Sequence, residues 1–171
     1  ELAGDHRPGG PWRGGKYSAF EAGSAVPFIV SWPAGGVPRG KRSDALVSQI
    51  DAIRSLAAVA GISVPDSLAP DSHDSHLTWL GKSDADRPFI LSMAYNRSVS
   101  IRTKHWKYIA PSQGGPMVPW GPKIETGFSS QDQLYRIDRP ENEQDNVASR
   151  HPEMVKHLHE LLNKELNNGN K

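Results

Sequence analysis

The stretch Val99-Ser100-Ile101-Arg102-Thr103-Lys104-His105-Trp106-Lys107-Tyr108-Ile109 decides the fold of the C-terminal half of the chain. Apolar and polar side chains alternate on both sides of a short polar break, which is the pattern of two strands joined by a turn. A connection of this length favours antiparallel neighbours. The stretch therefore predicts a β-hairpin.

Two further short segments extend this hairpin into a sheet. Phe89–Met93 precedes it and Leu134–Ile137 follows it, and both have the apolar character of short strands. After them, apolar residues recur at the spacing of one helical face, behind Pro152 in the first turn: Met154, Val155, Leu158, Leu161, Leu162 and Leu166. The sequence thus predicts an α+β fold in which a small four-stranded antiparallel sheet packs against a C-terminal helix.

The N-terminal half is organised differently. Residues 1–15 include five glycines and two prolines, which predicts a loop. Val26–Trp32 is an apolar run without alternation, typical of a strand that is buried on both faces and belongs to a larger sheet. Apolar residues between Leu46 and Ala60 recur at helical spacing, and Gly61 is placed to end that helix. One or two helical turns are expected around Leu77–Leu80.

Composition excludes several classes of function. The 171 residues carry a net charge of +1, which offers no broad electrostatic footprint for nucleic acid or for an anionic membrane. The absence of cysteine removes disulfides, thiolate metal sites and cysteine nucleophiles. Every apolar run is far shorter than the roughly 20 residues that cross a bilayer. The chain opens at Glu1 without a starting Met or a signal segment, which indicates an internal cut or a processed end.

Four segments, in this order, resemble the arylsulfatase-like sulfatases of the alkaline phosphatase superfamily. They are the R-G-G-K, E-x-G, V-P-F-I-V and W-P motifs within Arg13–Pro33, the V-S-x-I-D and A-G motifs within Val47–Gly61, the R-T-x-x-W-K-Y-I hairpin at Arg102–Ile109, and the closing L-Y … N-x-A … H-P-E run within Leu134–Glu153. Together they cover nearly the whole chain. The chain departs from the family at Ala22 and at Ser24-Ala25, where a glycine and an arginine are usual.

The resemblance implies a division of the chain. Residues 1–64 would form the C-terminal end of an alkaline-phosphatase-like catalytic α/β domain, residues 65–88 a connector, and residues 89–171 the antiparallel-sheet subdomain with its closing helix. It also implies a periplasmic or secreted enzyme that hydrolyses sulfate esters, with sulfated carbohydrates as the expected substrates.

In this family the nucleophile is a formylglycine made from the first residue of a Cys/Ser-x-Pro-x-Arg motif, and a bound Ca²⁺ helps to stabilise the charge on the sulfate. No such motif occurs in the chain, and the resemblance places the calcium ligands upstream of Glu1. We therefore expect no metal ligand within the chain, an inactive isolated fragment, and the N-terminal part of the same enzyme as its partner.

The resemblance makes Lys16 the catalytic and substrate-binding residue of the chain, where its ammonium group contacts the sulfate oxygens. His6 and Arg13 lie in the same glycine-rich loop and are predicted to bind the remainder of the substrate. The alternatives without a functional role are a solvated Lys16, a surface His6, and an Arg13 that pairs with Glu21 to fix the loop.

Other residues carry weaker hypotheses. Asp71–His76 mimics a metal site, although the resemblance places it in a structural connector. Asn96-Arg97-Ser98 is a glycosylation sequon that also arises by chance. His105 lies at a hairpin tip, and the loop Pro111–Trp120 is a candidate pocket wall. Two rival functions stay open, namely a non-catalytic binding or scaffold fragment and a phosphodiesterase of the same superfamily.

Overall fold

A computed structural model describes residues 9–138 and 140–168 of the chain. The chain divides into two compact units. The first runs up to Val26 and resumes at Leu91, so that the glycine-rich loop and the C-terminal half belong together, and the second comprises Pro27–Ile90. The predicted assignment of residues 1–64, 65–88 and 89–171 to parts of a larger enzyme stays a prediction.

Three α-helices, four strands and several short 3₁₀ helices make up the regular structure of these residues. The helices are α1 (Ala52–Val59), α2 (His76–Trp79) and α3 (Pro152–Asn168). The strands are β1 (Ile90–Met93), β2 (Val99–Arg102), β3 (Trp106–Ile109) and β4 (Gln133–Arg136). They form one sheet in the order β1-β2-β3-β4, and β3 pairs antiparallel with both β2 and β4. The predicted four-stranded sheet and closing helix are confirmed.

No helix in the described part of the chain is long and apolar enough to cross a membrane.

The register of the sheet sorts its side chains onto two faces. Tyr108 lies opposite Ile101 on β2 and Leu134 on β4, so that these three residues share one face. Lys107 lies opposite Arg102 and Tyr135, which places those three on the other face. The two faces are covered by different parts of the chain.

The Tyr108 face is covered by α3. This helix contacts β2 and β3, and it buries Leu158 and Leu162. The Tyr108 hydroxyl donates to Asp132 Oδ1 at 2.6 Å and lies 2.9 Å from His159 Nδ1. Burial and this hydrogen bond raise the pKa of Tyr108, so the phenol keeps its proton and acts as a donor.

The Lys107 face is covered by the N-terminal loop. Ala19 and Phe20 of that loop are buried with Ile109, Tyr135 and other residues of the sheet unit in one apolar cluster. The rings of Phe20 and Tyr135 meet edge to face at a centroid distance of 5.9 Å. The loop that carries Lys16 therefore forms part of the same core as the hairpin.

In the second unit, a buried ion pair holds the segment that follows α1. Asp51 is fully buried and accepts from the Arg87 guanidinium and from the backbone N–H of His73. The helix predicted between Leu46 and Ala60 is observed over a shorter range, as a 3₁₀ turn at Gln49–Asp51 followed by α1, and Gly61 follows it with φ +72°. The predicted turn at Leu77–Leu80 is observed as α2.

The expected strand at Val26–Trp32 is not formed within this chain. Residues 25–32 have no regular secondary structure, and in the described ranges they pair with no strand. Val26 is 56% exposed, Phe28 49% and Ile29 86%. A strand buried on both faces needs neighbours on each side, and no segment in the described part of the chain provides them. The strand was predicted as part of a sheet larger than this chain could build, and that part of the prediction stays a prediction.

Glu21 fixes the N-terminal loop to the sheet. Arg102 Nε donates to Glu21 Oε2 at 3.0 Å, and Lys107 Nζ donates to Oε1 at 3.4 Å. All three side chains are largely shielded from water, and Lys107 is almost fully buried. A buried charge needs a partner because its desolvation costs several kcal/mol. Loop and hairpin therefore hold each other in place.

A second carboxyl group, that of Glu143, lies beside this ion pair. Its Oε1 accepts the backbone N–H of Glu21 at 2.8 Å, and its Oε2 is buried with no hydrogen-bond partner among the described residues. Burial raises the pKa of Glu143 to about 7, although Lys107 acts in the opposite direction. Glu143 therefore titrates near neutral pH.

Replacing Glu21 with Gln should lower the free energy of unfolding by roughly 3 kcal/mol, because the buried Lys107 and the partly buried Arg102 lose their counter-charge. Chemical denaturation monitored by circular dichroism measures the change. Asp145→Asn is the matched control, since Asp145 pairs with Arg150 on an exposed surface and should change stability by less than about 0.5 kcal/mol. Equal effects of the two substitutions would contradict the role of Glu21.

Glu143 should make stability depend on pH. Its pKa rises on folding from 4.5 to about 7, so its contribution is complete below pH 4.5 and is lost as the pH rises through 7. The Glu143→Gln variant lacks this titration. Relative to that variant, the wild type should lose up to about 3 kcal/mol of unfolding free energy between pH 5 and pH 8. Parallel stability curves for the two proteins would show that Glu143 does not titrate in this range.

Candidate functional site

Lys16 lies at the tip of a turn in the N-terminal loop. The turn runs from Gly15 to Ser18 and is closed by the Ser18 N–H, which donates to the Gly15 carbonyl at 2.9 Å. The Lys16 side chain is exposed, and its Nζ lies 5.1 Å from the centroid of the Tyr17 ring. Among the described residues, no hydrogen bond or ion pair engages its ammonium group. The turn thus presents a free cation to solvent.

Glycine is required on both sides of this turn. Gly14 has φ +82°, and a Cβ there would lie 2.5 Å from Ser18 Oγ. At Gly23 a Cβ would lie 2.0 Å from the Ser18 carbonyl oxygen. Two of the motif glycines therefore let the loop fold back on itself, and they position Lys16 indirectly.

Tyr17, beside the lysine, adopts a strained backbone conformation. Its φ of +82° lies in the left-handed region, which costs an L-residue other than Gly, Asn or Asp about 1–2 kcal/mol. The Tyr17 carbonyl accepts the Tyr95 N–H at 2.9 Å, which helps to hold the conformation. Strain of this kind concentrates at functional sites. Tyr17 was not predicted as a site residue, and its sequence position next to Lys16 was the only available signal.

Arg13 is engaged by the protein itself. Its Nε donates to Glu125 Oε2 at 3.0 Å, its Nη1 donates to the Glu143 carbonyl at 3.2 Å, and its guanidinium lies 3.9 Å from the Phe20 ring centroid. The alternative that Arg13 pairs with Glu21 is wrong, because Glu21 binds Arg102 and Lys107 instead. The predicted contact of Arg13 with substrate stays a prediction. His6 lies outside the described residues.

The long loop between β3 and β4 is fixed beside the Lys16 turn. Asn96 Nδ2 donates to Thr126 Oγ1 at 2.9 Å and to the Gly115 carbonyl at 3.2 Å, and Glu125 forms the ion pair with Arg13. Because its amide is used in this way, Asn96 acts as a structural residue within its Asn96-Arg97-Ser98 sequon. The loop contributes Trp120, whose ring contacts Tyr17 and Tyr95.

The remaining candidates form local contacts. His76 Nδ1 lies 2.7 Å from Asp74 Oδ1 in the second unit, and His105 Nδ1 lies 3.1 Å from Asp138 Oδ1 at the hairpin tip. Within residues 9–138 and 140–168, no group of three His, Asp or Glu residues is arranged to hold a metal ion. The sequence also lacks the motif that is converted to formylglycine. The residues present therefore do not fit either Ca²⁺ or that nucleophile.

Several known proteins are similar to this chain in sequence or in fold. No protein-family model matches the chain. An N-acetylgalactosamine-6-O-sulfatase of Bacteroides thetaiotaomicron is 43% identical over 162 residues, which are 95% of the chain and 31% of that protein. Human arylsulfatase K is 29% identical over 177 residues, which cover 98% of the chain and 29% of the enzyme.

The fold leads to the same group of proteins. A solved structure from work on the metabolism of multiple glycosaminoglycans by Bacteroides thetaiotaomicron superposes with a TM-score of 0.85 at 42% identity. The match covers 94% of the chain and 33% of the solved chain, so the chain spans about a third of the length of the relatives it matches. Sequence and fold together confirm the resemblance predicted from the four motifs: the chain corresponds to the C-terminal part of a sulfatase.

Proposed function

We propose that this chain is the C-terminal part of an enzyme that hydrolyses sulfate esters of carbohydrates, and that Lys16 binds the sulfate group. The observation that carries the proposal is the free ammonium of Lys16 at the tip of a turn that is fixed by Gly14, Gly23 and Glu21. A cation carried on a turn of fixed backbone can stabilise negative charge on a tetrahedral sulfate.

The carbohydrate part of the proposal is supported by the bacterial relative, whose name specifies N-acetylgalactosamine 6-O-sulfate chemistry. It fits a site in which Lys16 Nζ lies 5.1 Å from the centroid of the Tyr17 ring, which in turn meets the Trp120 ring. A phosphodiesterase of the same superfamily is the alternative, since phosphate is also tetrahedral and anionic. The curated relatives that match are sulfatases, which favours sulfate.

The described residues contain no group that could bind the metal, and the sequence contains no motif that could be converted to the nucleophile. Both are therefore expected from other polypeptide. In our proposal, formylglycine and the Ca²⁺ ligands belong to the N-terminal part of the same enzyme, which is also the partner of this chain. Within the chain, Lys16 supplies positive charge, and the Glu21 ion pair keeps its loop in register with the sheet. The isolated chain should therefore be inactive.

Exposed apolar residues support a larger parent enzyme with an alkaline-phosphatase-like α/β domain. The second unit exposes many large apolar side chains, namely Phe28, Ile29, Trp32, Ile50, Ile53, Leu56, Val59, Ile62, Leu68 and Leu77. Exposed patches of this kind mark surfaces that other polypeptide covers. Residues 25–32, which pair with no strand among the described residues, also offer backbone groups for a sheet. A periplasmic or secreted location is part of the proposal.

Lys16→Ala in the full-length enzyme should lower kcat by roughly 10²- to 10³-fold, as expected for the loss of one charge-stabilising donor. Sulfate release from an aryl sulfate measures the effect. Lys156→Ala is the control, because Lys156 is an exposed lysine on α3, which covers the other face of the sheet, and should leave kcat unchanged. An unaltered kcat in Lys16→Ala would remove Lys16 from the site.

The chain alone should release no sulfate, whereas its co-expression with the N-terminal part of the enzyme should restore hydrolysis of the aryl sulfate. An aryl phosphodiester assayed in parallel should be cleaved far more slowly. If no activity is recovered, the chain is better explained as a non-catalytic binding or scaffold fragment. If the phosphodiester is cleaved faster than the aryl sulfate, the enzyme is better explained as a phosphodiesterase of the same superfamily.

A further inference from the structure

We propose that Tyr17, Tyr95 and Trp120 form an aromatic platform that stacks against the sugar ring of the substrate while Lys16 holds its sulfate group. The proposal rests on the proposed function and adds a specificity determinant to that site. It starts from an unusual grouping of side chains, since three aromatic rings from distant parts of the sequence meet on the surface.

The three rings form a compact cluster. The centroids of Tyr95 and Trp120 are 4.6 Å apart, those of Tyr17 and Trp120 5.6 Å, and those of Tyr17 and Tyr95 6.4 Å, all in edge-to-face geometry. Despite these contacts, Tyr17 is 39% exposed, and Tyr95 and Trp120 are each 48% exposed. Rings that only filled a core would be buried, so this cluster presents apolar surface for another molecule.

The position of the cluster is held by independent restraints. Tyr17 is kept in the left-handed region, and its carbonyl accepts the Tyr95 N–H. Trp120 lies on a loop fixed by Asn96 and by the ion pair between Arg13 and Glu125. A strained residue and a long loop tied down at several points indicate a surface that is preorganised for a ligand.

The chemistry of the platform matches one occupant. A pyranose ring has apolar C–H groups on one face, which stack on aromatic rings, and hydroxyls at its edge. Lys16 Nζ lies 5.1 Å from the Tyr17 ring centroid, so a sulfate bound by Lys16 would bring its sugar against the cluster. The hydroxyls of Tyr17 and Tyr95 form no hydrogen bond among the described residues, which leaves them able to bind sugar hydroxyls. A sulfated hexose satisfies all three features.

The test uses the full-length enzyme with two probes. N-acetylgalactosamine 6-sulfate reports on the sugar and the sulfate together, and inorganic sulfate, as a competitive inhibitor, reports on the anion contact alone. Trp120→Ala should raise KM for the sulfated sugar roughly 3- to 10-fold, as expected for one aromatic contact, and should leave the inhibition constant of inorganic sulfate unchanged. Trp120→Phe should recover much of the loss because it keeps a ring.

Phe128→Ala is the matched control, since Phe128 is a similarly exposed aromatic residue outside the cluster. It should alter neither constant. Lys16→Ala, in contrast to Trp120→Ala, should weaken inhibition by inorganic sulfate. Thermal unfolding of each variant identifies any loss of folding.

The outcomes separate the two proposals. If the wild-type enzyme releases sulfate from the sugar but Trp120→Ala leaves KM unchanged, or weakens both probes equally, the platform is overturned and the sulfatase function stands. If the wild type releases no sulfate from any ester, the proposed function fails and the platform fails with it.

Discussion

The carboxylate of Glu21, shared between Arg102 and Lys107, is the interaction on which the rest of the first unit depends. It joins two stretches that are about 80 residues apart in the sequence and places both in one core. Because Lys107 of the hairpin is almost fully buried, its charge needs the Glu21 carboxylate that the loop provides. The loop in turn has little regular structure of its own, so it takes its shape from the sheet.

The same anchor explains why the neighbouring residues occupy their positions. With Glu21 fixed, Phe20 packs on Tyr135, the glycines fold the preceding residues back, and the turn with Lys16 faces outward. Arg13 then links this loop to Glu125 and to the backbone at Glu143. Most residues of the R-G-G-K and E-x-G motifs thus stabilise the loop and do not offer a group to a ligand. Among those described, Lys16 keeps its charge available.

Local patterns predicted the sheet and helices because alternation and helical spacing are properties of neighbouring residues. Strand β4 was misplaced by only one residue. The strand at Val26–Trp32 was predicted from its composition alone, but a strand forms only where a partner exists, and the partner is not among the described residues. Likewise, the pairing of Glu21 with Arg102 and the meeting of Tyr17, Tyr95 and Trp120 join distant segments. Single-sequence reasoning has no signal for such contacts, although Trp120 lay in a loop that it had singled out.

The hydrogen bonds of Asn96 have a consequence for production of the protein in eukaryotic cells. Its side-chain nitrogen donates to Gly115 and Thr126, and an N-linked glycan would be attached to that same nitrogen. In the folded protein the acceptor atom is therefore occupied, and oligosaccharyltransferase has access only while the nascent chain is extended. A sugar added at that stage would compete with closure of the loop, so a Ser98→Ala gene, which removes the sequon and keeps the Asn96 amide, is the safer choice for a secretory host.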